Sequence, residues 1–327
     1  MSNVHLGIDI SKEHFDVALL RDEQYITGRF DNNSTGFGKL YRWLKKHKAH
    51  QCPACMEATG RYGEALAESL YENQYSVSVV NPVMIKRYAE SRMRRNKTDR
   101  EDAKLIAHYC ATQAPDLWQP PPPHIRELQE MTRRLAALKD SRTAELNRRQ
   151  SGVRSVVVLD DLNQTILFLE QQIATLAKAI DDHIDQHPDL KKNYELIKSI
   201  PSLGHVTASS FIAEVPDISR FESASQLAAY AGLSPSFNHS GKQSFSNGKM
   251  SKIGNARLRT LFYMPQKSAR RWNPIIASLV ERLQEKGKSA KVIRGAIMRK
   301  LLHLAYGVLK TQKPFDPHYL VNLQDPS

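Results

Sequence analysis

Three short apolar runs open the chain: VHLGIDIS at 4–11, HFDVALL at 14–20 and QYITGRF at 24–30. They are rich in branched and aromatic residues, and the gaps between them are too short for crossovers, which predicts three successive antiparallel strands. The period then changes. Ser34 is suited to cap a helix, and Phe37, Leu40, Trp43 and Leu44 follow at helical spacing. Strand-like runs at 52–59 and 75–82 alternate with helical patterns at 61–74, 83–92 and 99–113. The order βββαβαβα predicts an α/β domain over 1–112, a mixed sheet with crossover helices.

Residues 113–124, QAPDLWQPPPPH, contain four consecutive prolines and form a stiff linker. Beyond it, Leu128, Met131, Leu135 and Leu138 make one helical stripe. Leu162, Ile166, Leu169, Ile173, Leu176 and Ile180 recur at alternating spacings of four and three, a heptad seam. Residues 125–195 are therefore expected to form a helical hairpin or a coiled coil that pairs chains into a homo-oligomer. The remainder, 196–327, reads as mainly α. Pro201 and Gly204 punctuate SIPSLGHVTASSFIAEV in the manner of a helix-hairpin-helix, an element that offers backbone N–H groups to phosphate. Helices are also predicted at 223–233, 256–270, 275–287 and 290–310, with a polar loop at 234–255.

Charge narrows the class of partner. The net charge is +13, and residues 196–327 hold 19 Lys and Arg against 7 Asp and Glu, a balance of +12. Such a bias points to nucleic acid. No run approaches the roughly 18 apolar residues of a membrane span, and no secretory leader is recognisable, so no membrane partner is expected. Three cysteines suit a reducing, cytoplasmic setting. Cys52 and Cys55 would point to opposite faces of a strand, which argues against zinc.

The acids carry the chemistry. Asp9 interrupts an apolar strand and Glu57 closes another, and a carboxylate in such a place needs a cation. Asp99 and Asp102, three apart, share one direction on a helix. If the first and fourth strands are neighbours and the helix at 99–113 crosses them, all four acids converge. Four carboxylates would repel unless a hard divalent cation, Mg²⁺ (or Mn²⁺), lay among them. Paired ions of this kind serve displacement at phosphorus. Arg94, Arg95 and Lys97 would hold nucleic acid beside that point. Gly241, Lys242, Lys249, Lys252, Arg257 and Arg259 would contact phosphates from the second half. Tyr88, Trp118 and Trp272 are read as core residues in preference to base-stacking ones.

GIDISK, MEATG and NKTDREDA, with SIPSLGHVTASSFIAEV, FESASQLAAYAGLSPS, HSGK and MSKIGNARLR in the second half, resemble the DEDD-type transposases of bacterial insertion sequences, the insertion sequence 110 family. The motifs span nearly the whole chain in order. The resemblance implies a first domain like the RuvC branch of the RNase H fold, with the acidic tetrad on Asp9, Glu57, Asp99 and Asp102. It implies a conserved serine at Ser240 that forms a covalent serine–DNA intermediate. It also implies double-stranded donor and target DNA, guidance by a non-coding bridge RNA, a dimer that becomes a tetramer in the synaptic complex, and a bacterial, nucleoid-associated protein. The alternative within the same fold is a metal-dependent junction nuclease that uses water and not Ser240. An actin-like ATPase lacks support, because no second glycine-rich phosphate loop is found. A non-enzymatic nucleic-acid scaffold would have no need of the tetrad.

Overall fold

Strands β1 (Val4–Ile10), β2 (His14–Arg21) and β3 (Gln24–Asp31) form an antiparallel meander. Asp22 and Glu23, both at positive φ, make the two-residue turn between β2 and β3. Helix α1 (Ser34–Lys46) is capped by Asn33, one residue before the expected Ser34; the Asn33 side chain accepts from the Gly36 N–H. Then follow β4 (Ala54–Glu57), α2 (Glu64–Glu72), β5 (Val77–Val80), α3 (Pro82–Ser91) and α4 (Asp99–Gln113). The computed structural model describes residues 4–58, 60–92, 99–236 and 249–317.

The sheet order is β3-β2-β1-β4-β5, with β1 parallel to β4 and β4 parallel to β5. The expected order of elements and the β1–β4 adjacency are both present. One sheet face buries Leu6, Ile8, Phe15, Val17 and Leu19 with Leu40 and Leu44 of α1 and Leu66 and Leu70 of α2. The other face receives α4. Residues after α4 run beside β5: Trp118 N–H donates to the Val77 carbonyl and Ser78 Oγ to the Pro115 carbonyl. This first unit covers Met1–Pro120.

Among the described residues, the second unit, Pro121–Ser327, is mainly helical with one small ladder. Helices α5 (Pro123–Gln150) and α6 (Val156–Gln186) pack as an antiparallel hairpin, joined at one end by Arg149–Asn163 and at the other by His183 Nε2 and the His124 carbonyl. The heptad stripe is closed in cis: Leu162, Ile166, Leu169 and Ile180 are buried, as are Leu128, Leu135 and Leu138. The base of the hairpin shares one core with α7 (Pro188–Lys198), α8 (His205–Glu214), α9 (Ala224–Tyr230), α10 (Ala256–Leu261), α11 (Pro265–Trp272), α12 (Pro274–Glu285) and α13 (Ala290–Thr311). The helix expected over 256–270 is two helices, because Pro265 begins a new one after the turn at 262–264. Among the described residues, no helix is long and apolar enough to cross a membrane.

Candidate active site

Residues opposite one another in an antiparallel ladder project from the same face. Asp9 pairs with Asp16, and Asp16 pairs with Arg29, so the three form a row across β1, β2 and β3. In the parallel ladder Ile8 pairs with Met56, so Asp9 and Glu57 follow side by side at the ends of β1 and β4.

Helix α4 lies on this face because the sheet is shaved down to receive it. Gly7, two residues before Asp9 on the same side of β1, faces the α4 backbone. A Cβ there would stand 2.1 Å from the Ala107 nitrogen and 2.3 Å from the Ala103 oxygen. Ala18 of β2 packs against Ala103 and Ala107 in the same seam. The close approach brings the first turn of α4, with Asp99 and Asp102, over the Asp9 row.

The electrostatics follow. The Asp9 carboxyl is pushed up to about 6, first by burial, then by the charges of Asp102, Glu57, Asp99 and Asp16. The two groups at the start of α4 therefore reach Asp9 from a distant part of the sequence, as the convergence of acids required. Asp16, only 1% exposed, is neutralised by Arg29: Nε donates to both carboxylate oxygens at 3.1 and 2.9 Å, and Nη2 donates to Oδ2 at 2.7 Å. The same Nη2 donates to Asp99 Oδ2 at 3.0 Å. Arg29 thus ties the start of α4 to the sheet. His14, Asp16 and Asp99 also offer ligand atoms all within 4.8 Å of one another. The donor set around Asp9 is made of carboxylate oxygens, which suit a hard divalent cation.

Asp16, Arg29 and His14 were not singled out by the sequence. Asp16 carried the same signal as Asp9, an acid in an apolar strand, but its partner is visible only once the β2–β3 register is known. Arg94, Arg95, Lys97, Ser240, Gly241 and Lys242 lie outside the described residues. The stems of the segment bearing Ser240 are described. Strand β6 (Pro235–Ser236) pairs with β7 (Lys249–Met250), so these two stems lie side by side. Gly254 lets the chain pass Tyr230, whose carbonyl a Cβ would meet at 2.1 Å. Asn255 next to it caps α10 and donates to Glu214, which is in turn paired with Arg133 of α5 at 3.1 Å.

Lys252 and Arg257 are exposed, as phosphate contacts require. Arg259 is differently employed: its Nη1 donates to the Ala231 and Lys252 carbonyls and braces these stems. Tyr88 and Trp118 pack in the first unit, Tyr88 against Tyr109 and Trp118 against Tyr71. Trp272, expected in a core, is 63% exposed.

Comparison with known proteins gives this arrangement a context. A family model described as a transposase, of the DEDD type, matches residues 6–157, and one described as "Transposase IS116/IS110/IS902 family" matches residues 194–281. The first match spans all four acids and the second spans Ser240. The chain is 34% identical over 320 residues to the pilin gene-inverting proteins of Moraxella bovis and Moraxella lacunata, covering 97% of this chain and 98% of each relative. It is 27% identical over 210 residues to the transposase for insertion sequence element IS1111A of Coxiella burnetii, covering 56% of each. These are families of enzymes that act on DNA. The chain belongs to the IS110 family of transposases.

Proposed function

We propose that the protein cuts and rejoins DNA strands through a covalent serine–DNA intermediate, guided by a non-coding RNA, with an RNase H/RuvC-like first domain. The observation that supports the metal-assisted part of this reading is the convergence of Asp102, Glu57 and Asp99 on Asp9; the serine and the guide RNA are proposed from the likeness to the family. Asp9, Glu57, Asp99 and Asp102 would hold Mg²⁺ or Mn²⁺. Such an ion, when bound, neutralises the cluster and polarises a phosphoryl oxygen.

Ser240 would attack phosphorus. Its oxygen forms a phosphoester as the bond to the leaving deoxyribose oxygen breaks, and that oxygen takes up a proton. One phosphoester replaces another, so the strands can be rejoined without ATP. Lys242, Lys249, Lys252 and Arg257 would hold flanking phosphates, and Arg94, Arg95 and Lys97 would hold nucleic acid beside the acids. The helix-hairpin-helix-like turn before α8 would add backbone donors: its N-cap is Gly204, which brings no side chain to occupy them. The Moraxella relatives are named for inverting a gene. Inversion, excision and insertion need the same cut-and-rejoin chemistry and differ in how the sites are arranged.

A homo-oligomer would have to use a surface other than the heptad seam, which the hairpin closes on itself. Val156 and Val157 with Leu167 and Phe168, exposed about three turns further along α6, offer one. The deciding experiment incubates the purified protein with its co-purifying RNA and labelled donor and target DNA. The native protein should yield both recombinant DNA and a denaturant-stable protein–DNA adduct. Ser240→Ala should lose both, and Asp102→Asn should lose at least about a hundredfold in rate. Recombination by Ser240→Ala would overturn the serine mechanism in favour of the water-using nuclease.

A further inference from the structure

The second unit carries two exposed aromatic rings, each already partnered by an arginine. Trp272, at the end of α11, is 63% exposed, with the Arg271 guanidinium 4.8 Å from its ring centre. Tyr263, in the turn before α11, is 42% exposed, with the Arg294 guanidinium of α13 at 5.7 Å. Met264, also 63% exposed, lies between them in sequence, and Lys267 and Arg271 follow on its face of the helix at the i+3 and i+7 positions.

None of these rings is spent on the core, which α11 meets through Pro265, Gln266 and Ala269. Exposed Trp272 and Met264 leave apolar area in water, a cost that a surface kept only for solubility avoids. The charge around them is mainly positive, with Glu281 and Glu285 of α12, which packs on α11, as the acids nearby in sequence. Residues 256–272 contain five Lys or Arg and no Asp or Glu, and residues 286–315 contain eight and none.

We propose that Tyr263, Met264, Lys267, Arg271, Trp272 and Arg294 form a platform for unpaired nucleotides, built from residues other than the four acids and Ser240. The chemistry selects this partner. Arginines meet phosphates, and guanidinium planes and aromatic rings stack on base faces. Bases inside a duplex have no free faces to offer, so a stacking platform discriminates for single strands where phosphate contacts alone do not. Tyr263 lies in the turn before the eight-residue α11 and Trp272 at its far end, so the two rings flank a helix roughly 12 Å long, the length of three to four nucleotides at about 3.4 Å each. Single-stranded DNA and single-stranded RNA share the required chemistry.

The test measures binding of full-length protein to a short fluorescent single-stranded DNA, to RNA of the same sequence and to the DNA duplex. The salt is kept at about 0.2 M to suppress phosphate-only binding. Tyr263→Ala combined with Trp272→Ala should weaken single-strand binding by at least about tenfold and duplex binding by less than about threefold. Trp272→Phe, which keeps a stacking face, should stay within about threefold of the native protein. The strand type that loses more is the platform's ligand. Equal losses on single strand and duplex, or no loss on either single strand, overturn the proposal. Because both side chains are exposed, the double variant should keep its thermal melt. The readout is strand binding and not recombination, so the two proposals stand or fall separately.

Discussion

Asparagine at position 9 keeps the shape of the aspartate side chain and removes its charge. In the metal-free protein, Asp9 titrates near 6 when folded, against 3.8 in its ordinary state. The folded form therefore binds this proton more tightly than the unfolded form. The contribution of Asp9 to stability is fully present below about pH 3.8 and is lost as pH rises through 6. Above that point the ionised side chain opposes folding by at most about 3 kcal/mol, from a little over two pH units at 1.36 kcal/mol each. Asp9 is partly exposed, so solvent screening reduces this to about 1–2 kcal/mol. Asp9→Asn should accordingly raise the melting temperature of the first unit by roughly 5 °C at pH 7.5 in chelator, and by almost nothing at pH 4. Added Mg²⁺ should reverse the order, since a ligand that binds only the folded native protein stabilises it by mass action. Calorimetry at the two pH values, with and without metal, reads all four quantities. A variant less stable than the native protein at pH 7.5 in chelator, or a gain that does not change with pH, would refute the reasoning.

Substitutions at three other positions probe the supports of the acids and of the stems flanking the Ser240 segment. Gly7→Ala places a methyl group inside the α4 backbone, so it should destabilise the first unit by about 1–3 kcal/mol in urea melts and lower recombination more than that loss explains. Arg29→Lys keeps the charge but loses the forked contact that reaches both Asp16 and Asp99; recombination should fall by at least about tenfold with a nearly native melt, whereas Arg29→Ala should also lower the melting temperature by stranding buried Asp16. Glu214→Ala removes the acceptor that Arg133 and the Asn255 amide share, one of the interactions of Arg133, and should cost about 1–3 kcal/mol in denaturant melts of the second unit, with Glu214→Gln retaining part of it.

The sequence made the sheet legible because its strands are short, apolar and separated by turn residues, and because one adjacency, β1 beside β4, brings Asp9 and Glu57 together. The acidic convergence was legible for the same reason: helical spacing set Asp99 and Asp102 in one direction, and strand order did the rest. The partner of Asp16 was not. Arg29 is one charge among many until the β2–β3 register sets it opposite, and register depends on a two-residue turn at Asp22 and Glu23 that lacks the usual glycine. The heptad seam was visible as a pattern, but a pattern cannot say whether its complement lies in the same chain. Here Leu128, Leu135 and Leu138 of α5 supply it. Trp272 was misread because large aromatics are usually core residues; only the break at Pro265, which starts a helix on the surface of the second unit, turns it outward.

The closed hairpin has a consequence of scale. Helix α5 runs for 28 residues, about 42 Å. Packed along its length against α6, it behaves as a rod, anchored at one end in the helical core and free of that core at the turn through 151–155. Ile125, Leu128 and Leu135 build its first turns into the core, so the free stretch, from Leu138 to Gln150, is roughly 20 Å long. Whatever the tip of that stretch meets is held farther from the core than any side chain could reach.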